Sequence, residues 1–244
     1  MKLGALFRRI HKWVGLILGV QLLIWALSGA MMATLDHHSV AGGDEAPAEL
    51  PRALLINNQA WPVIQSALGS TPATGISVQA LLDRQAVIVT IQAGTRIFDA
   101  ATGAPVTIDA GLVVRIASAA HPGQPVVRSV APLSRVTFAV REHALPIWRV
   151  DFANSANSSY FISGTTGEIL ERRNDSWRLW DFFWMLHTMD YAKRSSFNHP
   201  LIVVAAIGAV WLTLSGLYLI FKTNWNPEKR WWRRRRRSSW PRAI

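Results

Sequence analysis

Two uncharged apolar stretches, Trp13–Leu35 and Pro200–Phe221, constrain this 244-residue chain more than anything else in it. As helices rising about 1.5 Å per residue, each reaches about 33 Å, enough to cross a hydrocarbon core of about 30 Å. Lipid offers no partner to backbone N–H and C=O groups, so each stretch is expected to be a transmembrane helix. Arg8, Arg9 and Lys12 ahead of the first stretch, with small residues at 29–33, also suit a signal peptide. A typical h-region has only about 7–15 apolar residues, however, so an uncleaved helix is the expectation.

Charge then orients the hairpin. Residues 1–12 carry +4 and residues 222–244 carry +8, against +11 for the whole chain, which leaves −1 for residues 13–221. Basic residues flanking membrane helices stay in the cytoplasm, so both termini are expected there and residues 36–198 outside. The tail Lys229-Arg230-Trp231-Trp232 with Arg233–Arg237 fits an anchor for anionic lipid, with Trp at the headgroup level. A basic run also suits nucleic acid, but its closeness to a membrane helix favours lipid and argues against a nucleic-acid partner. With no cysteine, disulfides, thiolate haem ligands and iron–sulfur clusters are excluded.

Between the spans, residues 41–51 read as a linker and 52–69 as a helix. Strands are expected at 86–92, 96–99, 136–140, 147–152 and 159–163, and a helix at 110–120. Ile97–Val106 and Phe161–Leu170 match at a shift of 64 residues, each a strand, a Thr-Gly turn and a further short strand. Two similar α+β units, about 50–108 and 110–172, account for the segment 36–175. Residues 176–199 are aromatic and too charged to span, which suits a helix on the outer membrane surface. The spans also echo each other, in Trp25 with Leu27-Ser28-Gly29 and Trp211 with Leu214-Ser215-Gly216. Chance is one account of the echo, since small residues are common where membrane helices touch.

The histidines at the span entrances carry the chemistry. An ionisable side chain at a membrane boundary usually has a partner or a task, and neutral imidazole ligates haem iron and other metals. His11 precedes the first span, on a helix face with Gly15 and Gly19; the GxxxG pattern fits helix packing, a groove for a flat macrocycle with His11 as ligand is the functional reading, and an interfacial, solvated histidine beside the basic cluster is an equally good account. His187 and His199 precede the second span, and Asp190, three residues after His187, is placed to orient its imidazole. Asp36, His37 and His38 at the far end of the first span could join them at one membrane level, or bind Zn²⁺, Cu²⁺ or Fe with Asp44 and Glu45. His121 and His143 suit ordinary surface or cap roles. The chain has no phosphate loop, GxSxG, HExxH or dinucleotide fingerprint.

Arg8-Arg9-Ile10-His11-Lys12-Trp13-Val14-Gly15-Leu16, opening a helix that ends near Leu27-Ser28-Gly29, resembles the first helix of PepSY-associated transmembrane proteins. Leu186-His187, with the helix ending Leu214-Ser215-Gly216-Leu217-Tyr218-Leu219, resembles that family's closing helix, and Tyr160–Leu170 resembles a PepSY repeat. The resemblance implies a bacterial inner-membrane protein with a periplasmic domain of two PepSY-like repeats. It further implies haem b held by His11 and His187, with His199 as an additional position, and electron transfer to ferric iron or a ferric-siderophore in iron uptake. Trp180 and Trp184 would supply a dry aromatic surround. The chain departs from larger members, which have four or more membrane helices. Its His11 and His187 are expected on opposite membrane faces, so a homodimer would be needed to pair ligands. A cofactor-free interaction module on a membrane anchor, and a periplasmic metal-binding accessory using Asp36, His37 and His38, are the competing readings.

Overall fold

The structure, a computed structural model, describes residues 3–42, 57–123, 125–194, 196 and 198–224. Most of the expected linker, Asp44 and Glu45, the start of the helix expected at 52–69, and the basic tail lie outside the described residues. In chain order the elements are α1 (Leu3–Thr34), α2 (His37–Val40), α3 (Ala60–Leu68), β1 (Ala73–Leu81), β2 (Arg84–Ile91), β3 (Gly94–Asp99), α4 (Ala110–Ala120), β4 (Val127–Pro132), β5 (Ile147–Phe152), β6 (Ser159–Ser163), β7 (Ile169–Arg173), α5 (Asp175–Thr188) and α6 (Pro200–Asn224). They form two compact units. One comprises the chain up to Ala30 and from Trp184 onward, the other Met31–Phe183.

In the first unit α1 and α6 are the two helices long and apolar enough to cross a membrane, over Ala5–Thr34 and Pro200–Lys222. They pack antiparallel through small residues that receive leucines reciprocally. A Cβ on Gly15 would lie 3.3 Å from Leu212 Cδ1, and one on Gly208 only 3.0 Å from Leu18 Cδ1. Phe7 closes the lower end against Trp211 and, edge-on, Tyr218. Gly19, the second glycine of GxxxG, would meet nothing within 4 Å, so only Gly15 serves this contact. The remaining flanks stay apolar and open, with Ile17 70% and Val204 66% exposed, as helices facing lipid require. Helix α1 is described over Leu3–Thr34, so Arg8, Arg9 and Lys12, expected in a separate 1–12 segment, belong to the same helix as the first span.

The second unit holds a three-stranded sheet ordered β1-β2-β3 and a four-stranded sheet ordered β4-β5-β6-β7, antiparallel throughout. Each follows a helix, α3 and α4 respectively, so the two halves repeat one arrangement. Strand β2 is buried on both faces. Ala86 and Ile88 join the α4 core, while Val87, Val89 and Ile91 pack with Ile64 and Leu68 of α3. This double burial explains its continuous apolar run.

The 64-residue repeat holds at the level of atoms. Asp99 Oδ1 accepts from Ala101 N and Thr102 N, and Ser163 Oγ accepts from Thr165 N and Thr166 N. Gly103 N donates to Asp99 O at 2.8 Å and Gly167 N to Ser163 O at 2.9 Å. Both glycines adopt positive φ, +75° and +76°, which closes these side-chain-capped turns. One expectation fails: residues 136–140 form no strand but end in a single 3₁₀ turn, Phe138–Val140. Val140 packs with Ile147 and Phe161, so burial of a turn produced the apolar signal there. Strands β1 and β4, rich in Ala, Gly, Ser and Gln or Arg, lacked that signal and were missed.

Candidate functional site

His11 sits on α1 opposite Ser215 of α6, with Nδ1 2.7 Å from Ser215 Oγ. Ser215 gives its single hydroxyl proton to Leu212 O at 2.9 Å. With that proton on Leu212 O the serine oxygen accepts from His11 Nδ1–H, a donor role that belongs to the Nδ1–H tautomer of the ring. Gly216, the next residue, admits the ring against the helix: a Cβ there would lie 3.5 Å from His11 Cε1. The Trp211 ring flanks it at 6.3 Å between centroids.

His187, in the last turn of α5, repeats this arrangement on α1. Its Nδ1 lies 3.2 Å from Ser28 Oγ and 3.3 Å from Trp25 O. Ser28 donates its proton to Ile24 O at 2.7 Å, and a carbonyl only accepts, so Nδ1 again carries the proton. Gly29 is the receiving glycine, where a Cβ would come within 3.2 Å of His187 Cε1. The echoed Leu-Ser-Gly segments are thus two receptors for imidazole, one per membrane helix, and the echo has a structural cause. The serines are the functional residues that reading for histidines overlooked; the echo was their signal.

Both rings are left with a bare Nε2 that has no hydrogen-bond partner among the described residues. That is the form in which imidazole ligates a metal, its other nitrogen oriented by a carbonyl or hydroxyl. The donor set fits haem iron. The two rings are not brought together. His11 and Ser28 are separated by 17 positions on α1, about 26 Å at helical rise.

His199 differs, because its Nε2 donates to Thr188 O at 2.7 Å and only Nδ1 is left as a lone pair. His187 Nδ1 finds its partners in Ser28 and Trp25 of α1, and Asp190 faces the loop after α5. It follows α5 after Met189, whose φ is +59°, and its carboxylate accepts from Lys193 N and Ser196 N. Asp36 caps α2, accepting from Ser39 N at 2.9 Å and Ser39 Oγ at 2.7 Å, which holds its carboxyl below the usual range. His37 and His38 are consecutive and exposed on that single turn. Among the described residues no three His, Cys, Asp or Glu side chains are grouped to hold a metal ion, and Asp44 and Glu45 lie outside those residues. In the second unit His143 pairs with Glu171 at 3.1 Å, and His121 stacks on Tyr160.

A family model described as PepSY-associated TM region matches residues 8–243. No curated protein and no solved structure matches the chain.

Proposed function

The chain belongs to the PepSY-associated transmembrane family, and from that premise we propose that it holds haem b through His11 and His187. Its role on this reading is to deliver electrons to ferric iron, as a siderophore complex, at the outer face of a bacterial inner membrane. The observation that carries the reading is the pair of anchored imidazoles with bare Nε2 atoms. Haem bound there supplies one-electron chemistry, at a potential tuned by its axial ligands and by the dryness of its surround.

The chain's own residues fix the ligands and exclude water. Ser215 and Ser28 anchor Nδ1, Gly216 and Gly29 admit the rings, and the apolar helix flanks keep the anchors dry. Each hairpin offers one such imidazole at each end of α1. Bis-histidine coordination therefore requires a second copy, His11 pairing with the partner subunit's His11. Reduction of Fe³⁺ lowers its charge and loosens the hold of hard oxygen ligands, which is the use of electrons at this face. The basic termini set the direction, from a membrane or cytoplasmic donor outward.

The test is the absorption spectrum of detergent-purified protein, oxidised and then dithionite-reduced, beside His11→Ala and His187→Ala. A Soret band with sharp reduced α and β bands, diminished in each variant, is the expected result. Colourless protein from cells supplied with ample haem overturns the reading and favours a cofactor-free PepSY interaction module.

A further inference from the structure

The two receptors share more than a serine and a glycine. In each, the hydroxyl has a carbonyl of the preceding turn within donating distance, Ile24 O at 2.7 Å for Ser28 and Leu212 O at 2.9 Å for Ser215. Each serine is shielded from water, Ser28 at 1% and Ser215 at 5% exposure. A buried hydroxyl whose proton is turned to such a carbonyl presents only lone pairs to the ring, and Nε2 has no acceptor among the described residues, so the ring proton finds its partner at Nδ1. We propose that Ser28 and Ser215 are positioning residues for His187 and His11, each fixing the neutral Nδ1–H tautomer so that the Nε2 lone pair serves as a metal ligand. The assignment rests on the haem reading only in naming the iron; the tautomer follows from the protein alone.

The two positions differ in a way that sharpens the claim. Among the described residues Ser215 Oγ is the one partner of His11 Nδ1, at 2.7 Å, whereas His187 Nδ1 lies near both Ser28 Oγ and Trp25 O at longer distances. Removing the Ser215 hydroxyl strands a donor in an apolar surround. Removing the Ser28 hydroxyl leaves the carbonyl in place. The serine at 215 therefore controls its histidine more tightly than the serine at 28.

The experiment uses the full chain in detergent, free of haem, with ¹⁵N-labelled histidine. Spectra are taken at about pH 8, above the ordinary imidazole pKa of about 6.5. Signals are assigned by their loss in His11→Ala and His187→Ala. Both rings are expected as Nδ1–H with bare Nε2. Ser215→Ala moves His11 to a tautomer mixture, Ser28→Ala moves His187 less, and Ser215→Thr, which keeps a hydroxyl, retains the wild-type signal. Unchanged thermal melting of the alanine variants separates a tautomer effect from misfolding. Wild-type rings protonated at Nε2, or a His11 signal indifferent to Ser215→Ala, overturn the assignment. In a parallel haem titration Ser215→Ala is expected to weaken binding about 10-fold, the usual scale for a lost orienting hydrogen bond. Wild-type protein that takes no haem yet shows the expected tautomers defeats the haem reading and leaves the positioning role standing.

Discussion

How near an imidazole comes to the helix that receives it is decided by one hydrogen in place of a methyl group. At Gly29 an added Cβ would stand 3.2 Å from His187 Cε1, inside comfortable contact, while at Gly216 the distance to His11 Cε1 is 3.5 Å, an ordinary one. Gly29→Ala is therefore expected to push the His187 ring outward by a few tenths of an ångström and to weaken haem binding about 10-fold, whereas Gly216→Ala leaves it within about twofold of wild type. Equal effects of the two substitutions in a haem titration would show that ring approach does not limit the site. A second residue, Asp151, sets the acid limit of the Met31–Phe183 unit. Burial pushes its carboxyl up, but Ser159 Oγ at 2.6 Å, Arg149 Nε at 2.8 Å and Ser129 Oγ at 3.0 Å donate to it and together hold it below the usual carboxylate range. A carboxylate lowered on folding adds stability that is present above the unfolded value of about 3.9 and is lost as pH falls through the folded one. Melting temperature followed from neutral pH to acid should therefore fall as pH drops below about 4. Asp151→Asn should start lower at neutral pH and show a shallower acid decline; a decline as steep as wild type would assign the loss to other groups, such as Asp99, which is lowered likewise.

The turns that close β3 and β6 ask for glycine with unequal force. Both Gly103 and Gly167 have positive φ, a conformation that costs a residue with a side chain about 1–3 kcal/mol. At Gly103 a Cβ would also stand 2.5 Å from the carbonyl oxygen of Ala60, which cannot move without shifting α3, while at Gly167 the nearest atom is the flexible end of Leu81 at 2.8 Å. Gly103→Ala should accordingly lower stability by more than Gly167→Ala, about 3 kcal/mol or more against about 2, in urea unfolding of the full chain; the reverse order would mean that α3 yields more readily than the core around Leu81. These turns were legible in the sequence because Thr-Gly after an apolar strand has one local meaning. So were α4, β5 and β6, whose apolar residues mark buried segments. The 136–140 stretch misled because an isolated buried turn also collects Val and Phe. Strands β1 and β4 were silent because their ladders depend on partners in β2 and β5 rather than on their own composition. The same limit applied to the site: His11 and His187 were visible as residues, but Ser28 and Ser215 acquire meaning only when antiparallel helices bring residue 11 beside 215 and residue 187 beside 28.

At the scale of the whole molecule, the proposed chemistry depends on which side of the bilayer each receptor faces. Helices α1 and α6 run antiparallel, so the start of α1 and the end of α6 lie at one end of the pair. On the proposed reading that end is cytoplasmic, because the charge, +4 on residues 1–12 and +8 on residues 222–244 against −1 between, is concentrated there. In that proposed orientation His11 stands at the cytoplasmic end of α1 and the Ser28–His187 pair at the outer end, about 26 Å apart, as the proposed outward electron delivery requires. Because the chain has no cysteine, single reporters read cleanly. Lys12→Cys and Ala131→Cys lie at exposed positions, the first on α1 and the second on β4. In intact spheroplasts a membrane-impermeant maleimide should label Ala131→Cys at once and Lys12→Cys only after permeabilisation. Labelling in the opposite sense would turn the Ser28–His187 receptor toward the cytoplasm, and an extracytoplasmic ferric substrate would then face the wrong end of the hairpin.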